Sequence, residues 1–347
     1  MSTDEYKITL QPSGHTFHVA VDETVLDAAL RQGIGLPYGC RNGACGSCKG
    51  VIIEGEFDYG NYQERTLSAD EKVAGKALFC VGKPRSDLVL QVKEIGGSND
   101  IRIRTLPCRV EKIAKVAADV AVLSLKLPAQ ERLQYFAGQY IDILLKDGKR
   151  RSFSIANAPH HDQFIELHIR QIPGGQFTNH VFNEMRERAI LRMEGPLGSF
   201  FLREDSDKPI ILVAGGTGFA PIKAVIEHAL YEHVDRELVL YWGCRTLQDL
   251  YMPHLPSQWA REHPNFTFIP VLSDPKPEDN WPGRTGLVHQ AVLDDFDSLA
   301  GYQVYACGAP IMIDVSRQAF GERGLPDDEF FADSFTYSPH SNFAANQ

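Results

Sequence analysis

Four cysteines are placed where they could share a metal centre. Cys40, Cys45 and Cys48 fall within nine residues, with four residues between the first pair and two between the second, and Cys80 follows after thirty-one more. This is the plant-type spacing of four thiolates around a [2Fe–2S] cluster. Ligands so close in sequence need a backbone that turns sharply and aims its amides at the sulfurs. Gly39, Gly43, Gly46 and Gly50 are expected to supply that freedom, because glycine alone enters positive φ without steric cost. A structural zinc site would show a second matched Cys-x-x-Cys pair, which is missing here. A disulfide framework belongs to small secreted chains.

Three further stretches could hold ligands. Arg151, Ser152, Phe153 and Ser154 open an expected strand, offering a cation for a pyrophosphate, a ring for stacking and hydroxyls for a ring edge. Any strand can carry this set, so alone it identifies nothing. Gly174 and Gly175 lead through Gln176 and Phe177 to Thr178 at the start of a helix; free amides and the helix dipole make such a turn an anion site. An ordinary hairpin turn with a capped helix is the other reading. Gly215, Gly216, Thr217 and Gly218 join an apolar strand to a helix, the context of pyrophosphate binding, with Pro221 where the dinucleotide fingerprint has its last glycine. Proline is tolerated there because the first helical turn has no amide partner to lose. Cys307 and Gly308 end another strand of the same pattern, so both turns should open on one crevice beyond the strand ends.

The elements that must position these residues fall into three groups. Residues 1–96 read as strands at 5–10 and 15–21, a helix over Val25–Leu30 capped by Thr24 and ended by Gly33, and strands at 51–54 and 88–92. That is a small sheet grasping one helix. Ile95–Asp100, polar and carrying two glycines, reads as a linker. Residues 103–205 show strands at 108–116, 120–127, 139–146, 151–156, 164–171 and 189–194, interrupted by a helix near 178–188: an antiparallel barrel. After Asp205–Asp207 the pattern changes. Strands at 209–214, 237–242, 266–272, 302–307 and 329–335 alternate with helices at 221–233, 248–262, 287–299 and 310–322, which argues a doubly wound parallel sheet over 206–340.

Composition narrows the partners. The 347 residues carry 43% hydrophobic residues and a net charge of −10, with a pI near 5.6. Nucleic acid is therefore not expected as a partner, since phosphate needs a basic face. No apolar run is long enough to span a bilayer. The first residues lack the basic and apolar regions of a signal peptide. With seven cysteines, an odd number, the chain is expected in the reducing cytoplasm.

In order along the chain, the cysteines, the Arg-x-aromatic-Ser strand, the glycine pair, the Gly-Gly-Thr-Gly turn and Cys307–Gly308 resemble the ferredoxin–NADP reductase superfamily. They resemble in particular its bacterial flavin/iron–sulfur reductases with an N-terminal ferredoxin domain. These include the reductase components of benzoate dioxygenase, phenol hydroxylase and soluble methane monooxygenase, and CDP-6-deoxy-glucoseen reductase, whose type the N-terminal half looks closest to. The resemblance implies a β-grasp ferredoxin domain, an FAD barrel and an NAD(P) domain. It implies electrons passing from NAD(P)H to FAD, to the cluster held by Cys40, Cys45, Cys48 and Cys80, and on to a protein acceptor. That acceptor would be a dehydrase or an oxygenase component.

The same resemblance lays Arg151, Phe153, Ser154, His168, Ile169, Arg170, Gly175 and Thr178 along FAD. Phe153 stands where the family usually has tyrosine. It sets Gly216, Thr217, Gly218, Cys307 and Gly308 along the nicotinamide coenzyme. Ser154 would lie near the flavin's reactive nitrogen, Cys307 would orient the nicotinamide, and Phe335 would lie against the flavin ring with Asp333 nearby. Arg245 could reach an adenosine 2′-phosphate, but the run Gly243-x-Arg245-x-x-x-Asp249-Leu250 resembles NADH-using members, so NADH is favoured. A non-catalytic metal- or ligand-binding module is the alternative of another class.

Overall fold

The computed structural model describes residues 5–95 and 101–335. The chain packs as two compact units, residues 1–102 and 103–347. The expected linker residues Gly96–Asp100, and residues 336–340 of the expected third domain, lie outside the described residues.

The first unit contains β1 (Glu5–Gln11), β2 (Thr16–Ala20), α1 (Val25–Arg31), β3 (Lys49–Glu54), β4 (Phe57–Asp58), α2 (Ala69–Val73), β5 (Lys76–Leu78), β6 (Lys83–Pro84) and β7 (Leu88–Gln91). Its five-stranded sheet runs β2-β1-β7-β3-β5, with β1 and β7 parallel at the centre. Thr24 caps α1 by accepting the Asp27 amide at 3.1 Å. Val25, Leu26, Ala28 and Ala29 are fully buried on one face, in the same core as Ile8, Leu10 and Leu90 of the sheet. This is the expected β-grasp arrangement. The two-residue β4/β6 ribbon and the single-turn-scale α2 are too short to show a periodic signal in sequence.

In the second unit come β8 (Arg104–Lys115), β9 (Val120–Lys126), β10 (Tyr140–Leu144), β11 (Arg150–Ser154), β12 (Ile165–Arg170), α3 (Gln176–Asn183) and β13 (Ile190–Leu197). The sheet order is β11-β10-β13-β8-β9-β12, antiparallel throughout. One isolated bridge, Ile155 to Leu167, joins its two end strands and closes the barrel. Ser154 and His168 flank that bridge, where the two strands part.

The remaining elements are β14 (Ile210–Gly215), α4 (Phe219–Tyr231), β15 (Leu238–Cys244), α5 (His254–Glu262), β16 (Phe266–Leu272), β17 (Arg284–Thr285), α6 (Val288–Asp295), β18 (Gln303–Gly308), α7 (Pro310–Glu322) and β19 (Phe330–Ser334). They build a parallel sheet of order β17-β16-β15-β14-β18-β19. Apolar cores lie on both faces, which is why β14 reads as an unbroken apolar run. The helix expected from 248 begins only at His254: Thr246 and Asp249 form a capped single turn first, and Pro253 precedes the helix. The helix expected to reach 188 ends at Asn183. The stretch around Asp205 is not an open linker. Phe200 and Leu202 are buried in the same core as α4, and Arg236 donates to the Arg203 carbonyl at 3.0 Å. Among the described residues no helix is long and apolar enough to cross a membrane.

Candidate functional site

The loop between α1 and β3 carries Cys40, Cys45 and Cys48, and the turn after β5 brings Cys80 to them. The Cys40 thiol meets both Cys45 and Cys80, and Cys80 meets Cys48, with no disulfide among them. Backbone amides do point at sulfur: Ala44 N–H toward Cys40 Sγ and Cys40 N–H toward Cys45 Sγ, each at 3.4 Å. Gly43 and Gly46 take positive φ, 73° and 79°, as the turn requires. Gly39 and Gly50 do not, correcting the expectation that all four glycines act by conformational freedom. They are glycine for lack of room: a Cβ on Gly39 would sit 3.2 Å from Cys45 Sγ, and one on Gly50 would strike the Phe79 ring. Arg41 also takes positive φ, 58°, without being glycine, and is held by an ion pair to Asp27 at 2.9 Å.

Contact with Cys40, and then burial, pushes the Cys45 thiol well above its ordinary value. Thiols packed this closely ionise together only with metal charge to compensate, so the pocket fits a thiolate-bound metal group. Among the described residues no three His, Cys, Asp or Glu side chains close on a single-ion site. A cluster of two irons, taking two thiolates each, has no such requirement.

In the second unit, the split beside the Ile155–Leu167 bridge faces the carboxyl ends of β18 and β19. Ser154 Oγ, from β11, donates to Asp333 Oδ2 at 3.1 Å. Asp333 is the register partner of Cys307, whose thiol lies 4.0 Å from the same oxygen. Burial pushes the Asp333 carboxyl up to about 6, while the Ser154 hydroxyl pulls the other way. Burial, and then the Asp333 charge, drives the Cys307 thiol well above its ordinary value, so it stays protonated and is no nucleophile. Phe335 follows directly, its N–H donating to Gly308 at 2.9 Å. Phe153 is half-buried, its ring 5.4 Å from that of Phe177.

Several expected contact residues are committed elsewhere. Ser152 Oγ donates to Asp142 at 2.6 Å. Thr178 Oγ1 braces its own turn, accepting from Ile172 N–H at 3.1 Å and donating to the Gly175 carbonyl at 3.2 Å. Gly174 has a positive φ of 76° and no heavy atom near its missing Cβ, whereas a Cβ on Gly175 would meet Thr178 Oγ1 at 2.6 Å. Arg151 folds one guanidinium N–H back to the Arg150 carbonyl at 2.8 Å. Ile169 belongs to the barrel core. The His168 side chain is fully buried against α4 and the segment after β15, bonded to Tyr251 and Glu166, so this strand offers a cofactor backbone there and not imidazole.

Arg170, the third residue of that set, reaches the glycine turn instead. Its guanidinium lies 3.3 Å from where a Gly216 Cβ would stand. Nε is 3.4 Å from Asp119, yet Nε and Nη2 are buried without a hydrogen-bond partner among the described residues. A half-buried guanidinium with two buried N–H groups lacking hydrogen bonds, above a strand–glycine–helix turn, fits an anion such as a pyrophosphate. Gly216 has φ 53°, and Trp242 Nε1 fixes its carbonyl at 2.9 Å. Thr217 is buried in the turn, and Pro221 lies in the first turn of α4. Gly218 is required by packing: a Cβ there would stand 2.0 Å from the Cys307 carbonyl oxygen. Gly215 and Gly308 likewise press on each other and on Met312.

Sequence reasoning missed Asp274. It lies beyond β16 beside Arg245, which follows β15, with its carboxylate 3.8 Å from the guanidinium and both side chains exposed. The Asp274 N–H donates to the Arg245 carbonyl at 2.8 Å, so adjacent strand ends present a carboxylate and a cation together. The signal available in sequence was an acidic residue just after a predicted parallel strand.

Comparison with known proteins agrees with the three-part architecture. Residues 8–85 match the 2Fe-2S iron-sulfur cluster binding domain, 107–202 the oxidoreductase FAD-binding domain and 212–318 the oxidoreductase NAD-binding domain. The chain is 43% identical over 332 residues to the CDP-6-deoxy-L-threo-D-glycero-4-hexulose-3-dehydrase reductase of Yersinia pseudotuberculosis, covering 95% of this chain and 98% of that one. It is 37% identical over 314 residues to the phenol hydroxylase P5 protein of Acinetobacter pittii, covering 89% and 88%. Among solved structures, the cytochrome P450 reductase GcoB of Amycolatopsis superposes with a TM-score of 0.77 at 34% identity, covering 96% of this chain and 99% of that one.

Proposed function

Because this chain belongs to the ferredoxin-fused flavin reductases of the ferredoxin–NADP reductase superfamily, we propose that its residues carry electrons from NADH to a dehydrase of the deoxyhexose type. The chain is an NAD(P)H-dependent oxidoreductase with FAD and [2Fe–2S] as cofactors and a protein as acceptor. When bound, these groups supply hydride acceptance from a nicotinamide and delivery of single electrons to the partner. The observation that carries the reading is the contact of Ser154 with Asp333 at the mouth of the barrel, where the strand ends of the parallel sheet arrive.

In this reading Cys40, Cys45, Cys48 and Cys80 hold the cluster. Arg151, Phe153, Ser154, Gly174 and Gly175, with the backbone of His168 and Ile169, hold FAD. Arg170, Gly215, Gly216 and Thr217 take the coenzyme pyrophosphate, with Gly218 and Pro221 shaping the turn. Cys307, Gly308 and Phe335 bound the nicotinamide side, and Ser154 with Asp333 sets the hydrogen bonding at the reacting edge. Asp274 engages Arg245 and would repel a 2′-phosphate, which supports NADH. The division 1–96, 103–205 and 206–340 follows the three cofactors. A cytoplasmic setting suits the seven free cysteines.

The deoxyhexose dehydrase is preferred to an oxygenase because the Yersinia reductase matches more closely and over more of its length than the phenol hydroxylase protein. Cys45→Ser tests the serial path. It should abolish reduction of the dehydrase while leaving NADH-to-ferricyanide activity nearly intact. Equal loss of both activities with FAD still bound would contradict the assignment.

A further inference from the structure

A buried charged joint ties the start of α4 to both strands that flank the barrel's split. Lys223, in the second turn of the helix that begins at the glycine turn, is almost wholly enclosed, its side chain 8% exposed. Its Nζ lies 2.8 Å from Glu227 Oε1 and 3.2 Å from Glu166 Oε1, and it donates to the Ala156 carbonyl at 2.9 Å. Ala156 is two residues beyond Ser154, and Glu166 is on β12 with Arg170. Glu227 also accepts from the Ala158 N–H at 3.3 Å. Glu166 continues to His168 Nε2 at 3.0 Å, and His168 Nδ1 reaches the Tyr251 hydroxyl at 2.8 Å. Burial works to raise the Glu166 carboxyl, but His168 and Lys223 outweigh it and hold it at about 2. One ammonium thus spans the helix of the coenzyme turn and the two barrel strands of the flavin side.

An enclosed lysine is costly to keep unless its geometry does something that an apolar residue would not. We propose that Lys223 is a positioning residue for hydride transfer: its pairing with Glu166 and Glu227 sets the coenzyme turn against the barrel mouth at the separation that Ser154 and Asp333 show. The proposal rests on the reductase reading above. In the step concerned, the nicotinamide C4–H bond breaks, hydrogen leaves with the electron pair to FAD, and NAD⁺ remains. Lys223 touches neither partner of that step. It acts through the placement of α4.

The test pairs anaerobic stopped-flow reduction of the FAD-loaded protein by NADH with hydrogen exchange of the flavin-free protein, for the wild type, Lys223→Met and Glu227→Gln. Lys223→Met should slow flavin reduction on the order of a hundredfold while KM for NADH moves by less than about threefold, since misplacement of about 1 Å penalises the reacting geometry far more than binding. In the flavin-free protein, amides of β19 and of the segment after Ser154 should exchange at least about tenfold faster, because a joint that opens locally loses protection there. Glu227→Gln keeps the size of the side chain and should give the same pattern, about tenfold weaker; it decides the matter if Lys223→Met fails to fold. Wild-type rates and protection in the folded variants would overturn the proposal, as would a KM that rises in step with the fall in kcat. A wild type that NADH does not reduce would overturn the reductase reading instead, and the exchange measurement would then decide on the joint.

Discussion

Ser154 and Asp333, 179 residues apart, share a hydrogen bond of 3.1 Å between the last residue of β11 and the penultimate residue of β19. It joins the barrel to the edge of the parallel sheet, and it draws in Cys307 through the same carboxylate oxygen. With the Asp333 carboxyl raised to about 6 by burial, the pair changes state just below neutrality. Below that value Asp333 is neutral; above it the carboxylate accepts from Ser154. The pH profile of kcat/KM for NADH oxidation should therefore inflect near pH 6 and lose that inflection in Asp333→Asn. Ser154→Ala should lower the rate of flavin reduction by about a hundredfold, the lower end of the effect of removing one preorganised donor at a reacting edge.

The same raised carboxyl carries a stability consequence. A carboxyl whose folded value lies above its unfolded value of 3.8 binds more protons folded than unfolded, so stability is greatest below pH 4 for this group and declines as pH rises toward 6. Asp333→Asn should remove that decline. Thermal melts between pH 4 and 7 would show the difference between the two proteins narrowing toward acid, and parallel curves would contradict it.

Arg170 has idle buried donors above Gly216. Arg170→Met should raise KM for NADH by about tenfold or more, the worth of a charge-assisted hydrogen bond, with little change in FAD content. Loss of FAD with an unaltered KM would return Arg170 to the flavin side.

In the proposed reading Arg245 and Asp274 set the coenzyme choice as a pair. Asp274→Ser frees the guanidinium and removes the opposing charge. The ratio of kcat/KM for NADPH over NADH should rise by at least about tenfold, which corresponds to about 1.4 kcal/mol. Arg245→Ala in the same background should reverse the gain.

Gly218 and Gly174 make a contrast in why glycine is needed. A methyl at 218 would stand 2.0 Å from the Cys307 carbonyl and force the turn before α4 away from the end of β18. Gly218→Ala should cost about 3 kcal/mol or more in stability. At Gly174 the space is open and only φ objects, so alanine there should cost about 1–2 kcal/mol. Chemical denaturation of the two variants checks the order.

The cluster loop was legible from spacing alone, since three of its four ligands are local, and the strands of both large sheets were legible because burial leaves period and run length in the sequence. Residues that work across elements were not. His168 and Arg170 lie two residues apart on the same face of β12, yet one enters the joint with α4 and the other reaches over the glycine turn. Nothing local in the sequence marks Lys223 until Glu166 and Ala156 are brought to it. Thr178 reads as a ligand group until its own turn claims the hydroxyl. Each of these depends on contacts between segments far apart in sequence, and no local pattern reports such contacts.

The proposed electron path runs from NADH through FAD to the four-cysteine centre. Its most direct test is an anaerobic titration of the purified protein with NADH, followed by visible absorbance and low-temperature EPR. Bleaching of the flavin band together with the signal of a reduced [2Fe–2S] cluster is the predicted result. A flavin that bleaches while the cluster stays oxidised, or a protein without visible chromophores, would contradict the account.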